Sequence, residues 1–429
     1  MSISLLIFIL VLLVGTVATV IVDIAWGVCL YELLYFLYPV NRWWYTIPPF
    51  RYALFVGAIL LIVYFFKRKD YTENKFLEAP QTKWFLFMLC MMVVISFYAV
   101  WPEQHYRFLN LQIKQLVFCY LAYKTIDTPS KFEKLIWVFL LGNFYIGYEA
   151  TFLTMRDSFG RVEGIGLPDG PDANTTAAVL TTAVPLLGYF LLRGEAWKKV
   201  LAAVLLTFVL NGLILFNSRG SMLALLVGGA VFFFQVMRKG SLSGKERASV
   251  FIFLVFGVLA FFYLTDTVFW ARMGTLKTVE VGEGDATRVN YWLAAVDLAQ
   301  KHPFGVGARG FEYLSPQILP ERWLSPESGL RAIHSTYFEA LAEFGYAGIV
   351  LMSGFILSTL RALWRVRDEA KKRSNSNLVL LSSAFEASFI CFMVASIFID
   401  RLYAEVFYWS MFHVAIFYNI YYVKQLVKK

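Results

Sequence analysis

A chain of 429 residues in which 59% are hydrophobic, with 41 Phe, 24 Tyr and 12 Trp, carries only 16% charged residues, against ~25% in average soluble domains. That balance excludes an ordinary soluble enzyme and places the chain among polytopic membrane proteins. The net charge of +9 sits in separate connectors between apolar runs, so no nucleic-acid partner is expected.

A helix needs ~20 apolar residues to cross the hydrocarbon. In chain order the candidate spans are 2–20, 23–40, 51–66, 83–101, 107–126, 133–153, 173–192, 198–216, 220–237, 249–265, 335–360, 378–399 and 404–423. The first reads as a span and not a cleaved signal, because no basic n-region or small-residue cleavage site accompanies it. The stretch "DIAWGVCLYELLYFLYP" crosses or is re-entrant, giving 13 or 12 spans; 12 is the reading taken. Alternate connectors, among them "KRKDYTENKFLEAPQTK" and "RALWRVRDEAKKR", hold 24 of the 39 Lys and Arg. Cytoplasmic loops are enriched in these residues, so the C-terminus is expected inside the cell. The fold class is thus all-α, with residues 1–265 supplying about nine or ten helices. A large outer loop follows over 266–334, and the last helices over 335–429, in one integral membrane domain.

The outer loops are less basic and chemically richer. Within "DATRVNYWLAAVDLAQKHPFGVGARGF", Val289, Trp292, Leu293, Val296 and Ala299 follow helical spacing. A helix near the membrane surface is expected, stopped by Pro303 and three glycines. The Cys residues at 29, 90, 119 and 391 form no CxxC pair and suggest neither a disulfide framework nor zinc.

Charge in the bilayer centre costs about 2.5 kcal/mol or more, so arginines at outer helix ends need partners. Arg219, in "ILFNSRGSMLAL", lies at the tip of a helical hairpin, where the next helix begins with its positive dipole end. It reads as a diphosphate clamp or as a snorkelling side chain. Arg288, in "GDATRVNYW", opens the surface helix and could equally be solvated. Arg161, in "GRVEGIGLPDGPDANT", precedes a helix capped by Asp172 or Asn174. Arg309, in "GVGARGF", has glycines that suit either a ligand's approach or a turn.

"HSTYFEALAEFGYAG" puts His334 at the mouth of a span. If the helix is continuous, Phe338, Leu341 and Gly345 lie within about 60° of it and Glu343 close to the opposite side. Neither Glu343 nor Glu339 can then pair with it, and any partner comes from elsewhere. His105 falls in a short outer loop, His302 precedes a proline and His413 is mid-span; none has metal-ligand spacing to another. No DxD sequence or framed dinucleotide motif is present.

"NSRGSMLAL", "RVNYWLAAVDLAQKHPFGVGARGF" and "HSTYFEALAEFGYAGIV", in that order, resemble the bacterial O-antigen ligase and O-antigen polymerase superfamily. The N-terminal "NRWWYTIPPF" and "GRVEGIGLPDGPDANTTAAVL" are similar to exosortase-associated O-glycosylation ligases. The resemblance implies an inner-membrane, class C glycosyltransferase that takes a glycan from undecaprenyl diphosphate at the periplasmic face and uses no metal or cofactor. The acceptor implied is lipid A–core oligosaccharide for a ligase or another glycan for a polymerase. Arg219 and Arg288 match the family's loop arginines and His334 its histidine; Arg309 matches less closely. The reading taken is an O-antigen ligase in which Arg219, Arg288, Arg161 and Arg309 bind the diphosphate and His334 is the base. The alternatives are a polymerase and, from another class, a transporter of lipid-linked sugars.

Overall fold

The computed structural model describes residues 3–43, 45–152, 161–170, 172–237 and 285–427, with residues 244, 247, 248, 250 and 251 between them. The expected span 249–265 and the first part of the 266–334 loop lie outside the described residues, apart from residues 250 and 251. The described chain is helical throughout and holds no strand, only one isolated bridge between Leu167 and Gly170.

The helices of the first half are α1 (Ile3–Ile21), α2 (Ala25–Leu37), α3 (Pro39–Arg42), α4 (Tyr52–Lys67) and α5 (Thr82–Ile95). They continue with α6 (Pro102–Thr125), α7 (Pro129–Phe152), α8 (Ala173–Arg193), α9 (Ala196–Phe216) and α10 (Arg219–Met237). After the undescribed stretch come α11 (Asp285–Lys301), α12 (Gly310–Ile318), α13 (Thr336–Phe344), α14 (Tyr346–Lys372), α15 (Ser376–Ala395) and α16 (Glu405–Tyr418). A π-helical turn over Asn419–Val423 extends α16. Six of these helices, α7 to α10, α14 and α15, are long and apolar enough to cross a bilayer. The protein is therefore a helical membrane protein. At 13 residues, α2 is only ~20 Å long at 1.5 Å per residue, short of the ~30 Å hydrocarbon.

Local chemistry fixes several boundaries. Asp172 caps α8, its Oδ1 accepting from the backbone N–H of Asn174 and Thr175. The α9–α10 hairpin turns on Asn217, at φ 45°, a residue whose short polar side chain tolerates the left-handed region. The bundle centre is α8 and α15, while α9 and α10 keep apolar residues such as Val200, Leu226 and Phe234 on the outside, where lipid covers them.

The expected span 335–360 is not one helix. It breaks at Gly345 (φ 65°) into α13 and α14. A Cβ there would meet the Pro303 carbonyl oxygen at 2.0 Å, and one on Gly305 (φ 82°) the Glu343 carbonyl oxygen at 2.2 Å. Two backbone segments thus pass in direct contact, and only glycine permits it. The glycines of "HPFGVGARG" serve this packing: Val306 and Gly307 donate to the carbonyls of Ala342 and Glu343, and Tyr346 to that of Pro303.

The surface helix is present as α11, and the residues of its apolar spacing divide between protein and the outside. Tyr291, Ala295, Leu298 and Ala299 are buried, whereas Val289 and Leu293 are exposed. The run is apolar on two sides, so spacing alone does not tell which faces protein. His105 also departs from its expected loop position. It lies buried in α6, with Nε2 on the Met92 carbonyl and Nδ1 accepting from the Ala308 N–H.

Candidate functional site

The site is built around the connector 396–404 between α15 and α16. Asp400 accepts from the backbone N–H of His334 (3.0 Å, Oδ2) and of Ser335 (2.9 Å, Oδ1). Further bonds stitch the two segments together. Thr336 N–H donates to the Ser396 carbonyl, its hydroxyl donates to the Ile399 carbonyl, and Arg401 N–H donates to that hydroxyl. His334 precedes α13 and sits at φ 57°. A non-glycine residue in this region costs roughly 1–2 kcal/mol, and the carboxylate gripping two successive N–H groups holds it there. The helical-wheel placement of His334 does not apply, because its backbone is not helical. The expectation of a partner from outside the helix is met by Asp400.

The imidazole Nδ1 lies 3.8 Å from Asp400 Oδ2, beyond hydrogen-bond range but close enough for charge to act. The side chain is 38% exposed, and protein crowds the rest. Burial lowers its pKa below the ordinary histidine value; Asp400 opposes this, and the positive charges of Arg288 and Arg331 reinforce it. The ring therefore favours its neutral, proton-accepting form.

Arg288 opens α11 and is half-buried. One turn on, Trp292 stacks on Phe338 with centroids 5.2 Å apart and faces Phe398 at 6.4 Å. Phe398 in turn packs against the backbone of Gly220, the second residue of α10. Arg219 thus starts a helix that abuts the same connector that carries Asp400. Arg331, not singled out from sequence although it opens "RAIHSTYF", stacks over Tyr291 at 5.1 Å. Its Nε is buried without a hydrogen bond among the described residues.

The other two arginines have internal duties. Arg161 is buried, with Nε on the Phe216 carbonyl, Nη2 on Asn174 and Glu163 3.6 Å from Nη1. It braces the turn that presents Arg219. Arg309, at φ 59°, pairs with Glu312 at 2.7 Å while its N–H donates to Glu343. Glu339 accepts from the Leu402 N–H and Glu343 from the Tyr403 hydroxyl. Both carboxylates of α13 are thus fasteners for the connector.

Residues 201–353 match the O-antigen ligase family. The matched segment contains Arg219, Arg288, Arg309, Arg331 and His334; it begins after Arg161 and ends before Asp400. No curated protein matches the chain. The segment supports membership of the O-antigen ligase superfamily, whose substrates are a lipid-linked glycan and an acceptor in a membrane setting. Asp400 escaped the sequence reading because "IDRLY" looked like a short connector. Its signal was an Asp–Arg pair between two apolar runs at the same end of the bundle as His334.

Proposed function

We propose that this chain is an inner-membrane glycosyltransferase of class C, with twelve crossings and its site facing the periplasm. It moves a glycan from undecaprenyl diphosphate onto lipid A–core oligosaccharide, without metal and with inversion. The observation that carries the reading is His334, gripped by Asp400 and acted on by Arg288 and Arg331, inside the O-antigen ligase segment.

With Nδ1 on the Asp400 side, Nε2 takes the proton of the acceptor hydroxyl as its oxygen bonds to the anomeric carbon. The bond from that carbon to the diphosphate breaks, and its electron pair leaves with undecaprenyl diphosphate. Arg219, Arg288 and Arg331 stabilise the charge growing on the leaving group, a contribution that pre-set cations make without reorganising. Asp400 is a positioning residue that orients the imidazole and favours its protonated form during transfer. Arg161 and Arg309 support this arrangement through the backbone turns they hold.

In proteoliposomes supplied with the lipid-linked donor, His334→Ala is expected to reduce transfer by 10²- to 10⁴-fold while donor binding persists. Full transfer by that variant would remove the base assignment. Product formed on lipid A–core supports the ligase; growth of donor-linked glycan without that acceptor would make the enzyme a polymerase with the same donor chemistry.

A further inference from the structure

A second feature lies away from the site, on the flank of the bundle. α5 and α14 leave a groove of about 420 Å³ lined along its length by Trp84, Ile349 and Leu357. At one end it is lined by Lys83, Arg361 and Arg365. From Ile349 to Arg361 is twelve residues, or ~18 Å of helix, comparable to one leaflet of a ~30 Å hydrocarbon core. The groove floor is made where the Trp84 indole lies flat on Gly354, 2.2 Å from where a Cβ would stand.

The cations distinguish this groove from an ordinary lipid-facing surface. Their neighbours at the same end of α14 are matched by carboxylates: Arg367 by Glu386, Lys371 by Asp368 and Arg373 by Glu369. The three groove cations are not. Among the described residues none of the three has a carboxylate partner: Lys83 lies over the Trp84 ring at 5.4 Å, Arg365 donates to the Tyr418 hydroxyl at 3.2 Å, and Arg361 is exposed. No Asp or Glu lines the groove among the described residues. An apolar slot one leaflet long, ending in three uncompensated cations, is complementary to a hydrocarbon chain bearing a phosphate.

We infer that the groove between α5 and α14 binds one anionic glycerophospholipid, an acyl chain lying along α14 and the phosphate among Lys83, Arg361 and Arg365. The volume suits one chain, so the second stays in the bilayer. Basic pockets between membrane helices recognise anionic headgroups in this way. The lipid ties α14, which continues from the break at Gly345 below the site, to α5.

The test is native mass spectrometry of the full-length protein in detergent, offered phosphatidylglycerol or phosphatidylethanolamine at equal concentration. Retention of phosphatidylglycerol is expected to exceed that of phosphatidylethanolamine about tenfold or more, with each of Lys83→Gln, Arg361→Gln and Arg365→Gln lowering it roughly fivefold. Ser353→Trp, which fills the slot and leaves every cation in place, is expected to abolish retention; a matched-cation control, Lys371→Gln, is expected to change nothing. Equal retention of the two lipids, or retention unchanged in Arg361→Gln and Ser353→Trp, would overturn the inference. Displacement of the lipid by inorganic phosphate alone, or by polyprenyl monophosphate at equal concentration, would overturn it too. All arms read lipid retention, so they stand independently of glycan transfer.

Discussion

His334 combines two properties that suit a general base: a ring that favours its neutral form and a backbone held in place by Asp400. Burial lowers its pKa most, Asp400 opposes this, and the charges of Arg288 and Arg331 lower it further. The proton-accepting form is the unprotonated one, so kcat/KM should rise with pH through that lowered pKa and level off by neutrality. The acidic limb lies below the ordinary value of ~6.5. Arg331→Gln removes a cation that disfavours the imidazolium, so the pKa moves up and the limb moves to higher pH. A pH profile of kcat/KM, which reports the free enzyme, reads this shift; a limb that stays put or moves down would refute the electrostatic role of Arg331. The backbone offers a further check at the same residue. Its φ of 57° suits glycine, so His334→Gly should fold as well as the parent and lose transfer. Added imidazole should then restore part of it. Failure of every imidazole concentration to restore transfer in a well-folded His334→Gly would argue against a base at this position.

At the scale of the elements, the break between α13 and α14 gives the site its shape. The long helix continues down the bundle, while the short one turns away to face the connector with Glu339 and Glu343. Gly345→Ala would need a left-handed backbone and would set a Cβ against the Pro303 carbonyl. The strain alone costs on the order of 1–3 kcal/mol, and the backbone contact adds to it. Thermal unfolding in detergent should show a lowered midpoint, and transfer should fall with it; an unchanged midpoint would mean the break tolerates a side chain. This break also explains what could and could not be read beforehand. Apolar length placed most of the helices, from α4 to α10 and in α15, with ends off by up to six residues at α5 and five at α6, because lipid imposes a strong and simple pattern. The Asp172 cap was legible because a single side chain decides it locally. Gly345 was not, since a lone glycine in an apolar run looks the same whether or not another backbone passes beside it. Which side of α11 faces protein was not legible for a similar reason: an amphipathic pattern names apolar residues, and tertiary contact buries Tyr291 while leaving Leu293 exposed.

Across the whole molecule, the site depends on contacts between distant parts of the chain that no local pattern encodes. The connector carrying Asp400 is anchored one residue later by Arg401, which is fully buried. Its guanidinium bonds Asp169 Oδ1 at 2.6 Å and the Asp169 carbonyl at 2.9 Å. Asp169 also accepts from the Tyr35 hydroxyl and the Glu405 N–H. This cluster joins α2, the loop before α8 and the start of α16, and so links the N-terminal half to the family-matched segment through the residue beside Asp400. Sequence could supply Arg401 and Asp169 as odd charges in apolar surroundings, but not their pairing across more than two hundred residues. Removing one partner of a buried ion pair strands the other and typically costs about 3–5 kcal/mol. Arg401→Met should therefore lower the unfolding midpoint sharply and reduce transfer by loosening Asp400 and, through it, His334. Asp169→Asn with Arg401→Met removes both charges and should recover much of the stability, because the desolvation cost disappears with the pair. Transfer should recover less than stability, since the polar anchor of the connector is still gone. Equal recovery of both would show that the cluster serves stability alone, and no recovery of stability would show that its bonds to Tyr35 and Glu405, and not its charge balance, hold the two halves together.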